Sequence, residues 1–132
     1  MDVVLLDTDV FSIILKGASQ ARDYQYIIAG KRMALSFMTV AELFQWGYMR
    51  NWGSRRIATL ETEMQNYLVL PPDIEACRIW AQVRARAKDK GRPISPQDAW
   101  NAAMALRYSL PLVTNNAKDY QTIDLLQVLT PL

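Results

Sequence analysis

The chain has 132 residues, 51% of them hydrophobic and 21% charged, with a formal net charge of +2. That length suits one domain, and the apolar content excludes intrinsic disorder. The longest apolar runs, Val3 to Leu6 and Val10 to Leu15, fall short of the ~20 residues of a membrane span, and Asp2, Asp7 and Asp9 spoil any signal-peptide pattern.

Asp2 to Leu6 is a valine-rich apolar run that predicts a strand buried on both faces. Asp7-Thr8-Asp9 ends it, and Val10 to Leu15 predicts a short helix closed by Lys16-Gly17. A second helix is expected over Ala18 to Ala29, and a second buried strand over Arg32 to Phe37. Thr39 to Trp52 and Arg55 to Asn66 read as helices, followed by a brief strand from Tyr67 to Leu70. Ile74 to Lys90 is the longest expected helix, and Ser95 to Tyr108 follows with Pro96 at its first position. Leu112 to Thr114 and Leu125 to Leu129 are the last strands, separated by a polar loop from Asn115 to Thr122. Short apolar strands alternating with helices imply an α/β fold, a short parallel sheet of about four to five strands with helices on both faces.

In such sheets ligands bind beyond the carboxyl ends of the strands. The residues expected there are Asp7, Asp9, Glu42, Asp98, Asn115, Asn116 and Asp119. The chain has no histidine and a single cysteine, Cys77, which removes the usual general base, disulfides and zinc clusters, and fits a reducing cytoplasm. Carboxylates working with a hard divalent cation are the chemistry left by elimination. Each acid also has a plain local reading. Thr39 to Glu42 fits a capping box, Ser95 to Asp98 has a similar form, and Asp7 suits an N-cap. Taken one at a time, these helix-start readings prevail. Four acids from separate segments at one sheet edge, however, repel one another unless a cation or protons neutralise them.

Four blocks of sequence carry a family resemblance: Val4 to Asp9, Ser36 to Leu43, Pro93 to Ala103 and Leu112 to Tyr120. In this order and at these separations they resemble the PIN-domain ribonucleases, and among them the VapC-type toxins of bacterial toxin–antitoxin pairs. The resemblance spans nearly the whole of residues 1–132 and implies a single PIN-like domain. It implies an endoribonuclease dependent on Mg²⁺ or Mn²⁺, with Asp7, Glu42 and Asp98 as core acids and metal ligands, and Asp119 as the fourth acid. Thr8, Asp9, Thr114 and Asn116 would support them. Two departures bear on the fourth position: Asp9 stands where many relatives carry Asn, and Asn116 where many carry Asp. The resemblance also implies a cognate antitoxin and a homodimer.

Arg84, Arg86, Lys88, Lys90 and Arg92 crowd the end of the longest helix. They read equally as a solvated helix terminus and as a patch for an RNA backbone, with Arg84, Arg86 and Lys88 as its candidates. Phe44, Trp46, Tyr48 and Trp52 place aromatic rings on two faces of one helix, which favours a surface that meets the antitoxin. Cys77 is expected as a small buried hydrophobe. Two rival readings remain. One is a PIN-domain nuclease acting on DNA or in RNA processing. The other is a receiver-like Mg²⁺-binding signalling domain, for which Lys118 would be the late lysine.

Overall fold

The computed structural model describes residues 2–131, built around the strand that the valine-rich run forms, β1 (Val3–Leu6). Val4, Leu5 and Leu6 are buried, because β1 is flanked on one side by β2 (Arg32–Ser36) and on the other by β4 (Leu112–Val113). β3 (Leu68–Leu70) and β5 (Val128–Leu129) complete a five-stranded, all-parallel sheet of order β3-β2-β1-β4-β5. Leu6 pairs in register with Leu35 on one side and Val113 on the other.

Side-chain alternation along the strands divides the core into two layers. Leu5, Ala34 and Leu112 face α5 (Ile74–Asp89) and α6 (Pro96–Arg107), packing with Val83, Ala87, Ala102 and Met104. Val4, Leu6, Leu35 and Val113 face the opposite layer, formed by α1 (Thr8–Leu15), α3 (Phe37–Met49) and α4 (Ser54–Met64). Phe11, Leu43, Leu60 and Met64 fill that second layer. Helices therefore cover both faces, as the alternation of elements predicts. Among the described residues no helix is long and apolar enough to cross a membrane.

Two expected elements and one residue's burial differ. The helix expected over Ala18 to Ala29 is a 3-10 segment, Ser19–Tyr24, followed by the short α2 (Gln25–Ile28). Ala18 in the cap position offers no side-chain acceptor, so nothing anchors a regular first turn. The last strand begins at Val128 rather than Leu125, because Leu125 has a φ of 67°, a left-handed conformation no strand accommodates. Cys77 is exposed, not buried: α5 turns Ala76, Val83 and Ala87 inward, and Cys77 falls beside that stripe.

The connection from β1 leads to β2 on one side, and the chain later crosses back to place β4 on the other side of β1. The order reverses between β1 and β4, and the crevice outside their carboxyl ends is where open parallel sheets bind ligands.

Candidate active site

Asp7 sits at that reversal. The Asp7 amide donates to the Val113 carbonyl at 3.0 Å, which carries the chain out of β1, and the Asp7 side chain caps α1 by accepting the Val10 amide at 2.8 Å. Its second oxygen accepts the Thr114 hydroxyl at 2.5 Å. Asp7 is only 5% exposed. Burial raises its pKa from the usual 3.8 to about 6, with the charges of Asp9 and Asp98 adding to the rise and both hydrogen bonds opposing it.

Glu42 lies in the second turn of α3, and here the capping-box expectation fails. Ser36 ends β2 and caps α3 itself, its hydroxyl accepting the Met38 amide at 3.1 Å. Thr39 is therefore inside the helix, buried, with its hydroxyl 2.9 Å from that of Thr8 and 3.5 Å from Asn101 Oδ1. Glu42 accepts the Thr8 hydroxyl at 2.9 Å instead of bonding a helix-start amide. Its pKa is raised by burial and by the charges of Asp9 and Asp98, against the opposing Thr8 bond.

Asp98 occupies the third position of α6, where its amide donates to the Ser95 cap hydroxyl at 3.1 Å, as the sequence predicts. One carboxylate oxygen accepts the Tyr120 hydroxyl at 3.2 Å. Burial raises the Asp98 pKa, and the charges of Asp119 and Asp9 push in the same direction. Tyr120 is 3% exposed, and burial together with the charges of Asp98 and Asp7 lifts its pKa far above the ordinary phenol range. It remains a protonated donor at any working pH.

Asp7, Glu42 and Asp98 thus share one arrangement: each accepts a hydroxyl carried by a different segment of the chain. Thr114 comes from the end of β4, Thr8 from α1, and Tyr120 from a 3-10 turn, Ala117–Tyr120. The remaining candidates stand around them. Asp9 is exposed and accepts the Asn116 amide side chain at 3.4 Å, while the Asn116 backbone amide donates to the Thr114 hydroxyl at 3.0 Å. Asp119 is exposed and shares a cavity with Asp98. The buried Tyr24 hydroxyl donates to Asn115 Oδ1 at 2.9 Å and ties the first 3-10 segment to this edge.

Four contributors were missed from sequence. Asn101, one turn beyond Asp98 on the same helix, had a readable signal in that spacing. Thr39 was read as a cap. Tyr24 and Tyr120 had no local signal, because their partners lie 91 and 22 residues away.

The donor set contains only oxygens, and the mutual repulsion of its carboxylates is the kind a hard cation relieves. Among the described residues, no three acids are already gathered closely enough to hold an ion between them.

The peripheral candidates separate by helix geometry. Trp46 and Trp52 line one apolar groove with Ser12, Leu15, Leu43 and Leu60, of about 230 Å³. Phe44 stacks with the exposed Tyr48 instead, ring centres 6.4 Å apart, so the four aromatics do not form one surface. Arg84 lies over the Trp80 ring at 5.5 Å, whereas Arg86 lines a different cleft with Thr122 and Leu125. The Arg84, Arg86 and Lys88 side chains are exposed; Arg84 and Lys88, four apart, share a helix face, while Arg86 between them points away from it.

A parallel sheet covered on both faces, with carboxylates gathered outside its switch point, defines an acid-centred α/β domain. The family model of the PIN domain matches residues 4–124, and the chain belongs to that family. It is 32% identical over 124 residues to Ribonuclease VapC5 of Mycobacterium tuberculosis, covering 91% of this chain and 87% of that protein. Among solved structures it resembles VapBC-1 from nontypeable Haemophilus influenzae, with a TM-score of 0.82 at 27% identity over 97% of each chain. It also resembles VapBC-5 from Mycobacterium tuberculosis, a member of the VapBC family of toxin–antitoxin systems, with a TM-score of 0.69 at 28% identity over 99% and 98% of the two chains. Membership in this family sets the receiver-like reading aside.

Proposed function

We propose that this protein is a divalent-metal-dependent endoribonuclease and the toxin of a toxin–antitoxin pair. The observation that carries the reading is the trio Asp7, Glu42 and Asp98, each from a different element and each held by a hydroxyl from another segment. The names of its relatives support the ribonuclease and toxin parts. Asp7, Asp98 and Glu42 are the residues that would hold Mg²⁺ or Mn²⁺, with Asp119 or the amide oxygen of Asn116 at the fourth position. Such an ion, when bound, activates water and stabilises charge on the phosphate.

The protein's own contribution is orientation and proton handling. Thr114 and the Val10 amide fix both Asp7 oxygens in direction, and Tyr120 fixes one oxygen of Asp98. Thr8 engages Glu42 Oε1 and leaves Oε2 available to accept a proton from the attacking water. The raised pKa of Glu42 improves its match to that task near neutral pH. Thr8, Asp9, Thr114 and Asn116 hold the carboxylates in register, and Arg84, Arg86 and Lys88 serve as outer contacts for the RNA backbone.

The groove lined by Trp46 and Trp52 receives an apolar segment of the antitoxin, and the stacked Phe44 and Tyr48 offer it a second, separate contact. Two copies of the chain pair in the toxin.

The test joins cleavage to growth. Purified protein should cut RNA with Mg²⁺ or Mn²⁺ and stop when chelator is in excess. Induced expression should arrest growth, Asp98→Asn should abolish the arrest, and the antitoxin should relieve it. Cleavage undiminished in chelator, with contaminating nuclease excluded, refutes the metal mechanism. Growth unaffected by an active nuclease refutes the toxin reading and favours a role on DNA or in RNA processing.

A further inference from the structure

We propose that Arg92 and Lys118 form a binding site for an RNA backbone phosphate beside the acids, and this inference rests on the ribonuclease reading. An acid-lined edge repels a phosphodiester strand, so a strand that reaches Asp98 needs local positive charge next to it. One cavity of about 200 Å³ supplies both signs: Asp98 and Asp119 line it together with Arg92 and Lys118, and Ser95 and Thr122 add hydroxyls.

The two cations come from separate segments, Arg92 just past the end of α5 and Lys118 in the 3-10 turn that carries Tyr120. The wall between them is fixed in place. Arg92 donates to Gln121 Oε1 at 3.2 Å, and Lys90 donates to the Thr122 carbonyl at 2.6 Å. Neither Arg92 nor Lys118 has a carboxylate partner among the described residues. Other cations are committed: Lys90 to Asp124, Arg107 to Asp73, Arg78 to Glu75, and Arg50, Arg56 and Arg84 to tryptophan rings. Arg92 and Lys118 are the two cations that line the cavity with Asp98 and Asp119, and among the described residues neither is tied to a carboxylate. A cavity of this size takes a phosphate and part of its ribose, which places the neighbouring phosphodiester toward Asp98 and Asp7.

The experiment reads binding rather than turnover. A fluorescein-labelled oligouridylate is titrated, in chelator, against Asp7→Asn protein, because Asp7 lies outside this cavity and its loss suppresses cleavage. Each of Arg92→Gln and Lys118→Gln should flatten the dependence of log Kd on log salt by about 0.7, the single-strand value per phosphate contact. In the double variant the change in Kd between about 50 and 200 mM salt should shrink about sevenfold. Arg92→Lys keeps the charge and should keep the slope, which separates charge from any structural role of the Gln121 bond. Lys31→Gln, at the amino end of the sheet beside Asp2 and Val3, should leave the slope intact. An unchanged slope in both cavity variants overturns the proposal, as does an equal loss in Lys31→Gln. Asp7→Asn protein that cleaves RNA normally refutes the active-site reading instead, and the salt slopes still decide the phosphate site.

Discussion

Replacing Asp7 by Asn tests whether the buried acid is held for function at a cost in stability. A carboxyl whose pKa rises from 3.8 to about 6 on folding destabilises the ionised native state by about 3 kcal/mol, taking about 1.4 kcal/mol per pH unit. The sign follows from proton uptake. Between pH 3.8 and about 6 the native state binds more protons than the unfolded chain, so the contribution of Asp7 is fully present below 3.8 and is lost as pH rises through about 6. Asparagine removes that dependence while its oxygen still accepts the Val10 amide. Its amide nitrogen, however, meets a Thr114 hydroxyl that now donates to Asp7, and rearranging this bond costs about 1 kcal/mol. The net expectation is a metal-free variant about 2 kcal/mol more stable than wild type at pH 7.5, its advantage gone or reversed near pH 3.8. Urea unfolding in chelator across that pH range measures it, and RNA cleavage on the same samples should fall by orders of magnitude. A variant no more stable at pH 7.5, or an advantage independent of pH, refutes the reasoning.

Further expectations follow from the other two acids and the cation. Tyr120→Phe keeps the buried ring and removes only the donor to Asp98; the acid limb of the pH–rate profile should move upward, with stability changed by about 1 kcal/mol. An unmoved limb would show that the hydroxyl does not act on Asp98. Glu42→Gln should abolish cleavage without loss of metal-free stability, since Glu42 caps no helix; a stability loss above about 1 kcal/mol would restore the capping reading. Mg²⁺ at a hundred times its Kd should stabilise wild type by about 2.7 kcal/mol, and Asp98→Asn by less; equal shifts in thermal unfolding would remove Asp98 from the ligand set. Changing Arg84, Arg86 and Lys88 to Gln together should weaken RNA binding and flatten its salt slope, and an unchanged slope would return them to a solvated helix end.

What the sequence disclosed and what it hid divide along physical lines. Local signals carried well. The valine-rich run gave β1, Asp7 followed it as a cap, and Ser95 with Pro96 marked the start of α6 three residues before Asp98. The capping-box reading of Thr39 to Glu42 fails because Ser36 and Thr39 both fit an N-cap. The choice between them depends on where β2 stops, and β2 ends at Ser36, which pairs with Leu70 of a strand far along the chain. Tyr24 and Tyr120 were hidden for a stronger reason. Each is an aromatic residue in a segment without clear periodicity, and each matters through one hydroxyl that meets a partner only after the sheet has assembled. Cys77 and Leu125 mark the limit of pattern reading, since one residue of helix phase exposes the first and one positive φ removes the second from its strand.

The three hydroxyls give the site its energetic logic. Each acid is buried enough for its pKa to rise, and each hydroxyl bond opposes that rise without cancelling it. A carboxylate fully satisfied by several donors would be ionised and content, with little to gain from a cation. One left with no donor would stay protonated or swing toward solvent. A single hydroxyl from a neighbouring segment sets the direction of one oxygen and leaves unrelieved charge repulsion behind. That remaining repulsion is free energy a bound cation would recover, so the burial and charge crowding that raise the three pKa values are what favour the ion. Because the hydroxyls come from β4, α1 and the turn before β5, binding at the acids also ties these elements together. Stabilisation by Mg²⁺ should therefore spread beyond the acids: amide exchange in chelator against Mg²⁺ should slow at Thr114 and Ile123, whose amides donate to the Leu129 and Tyr120 carbonyls. Slowing confined to the residues next to the three acids would show that the hydroxyls transmit nothing.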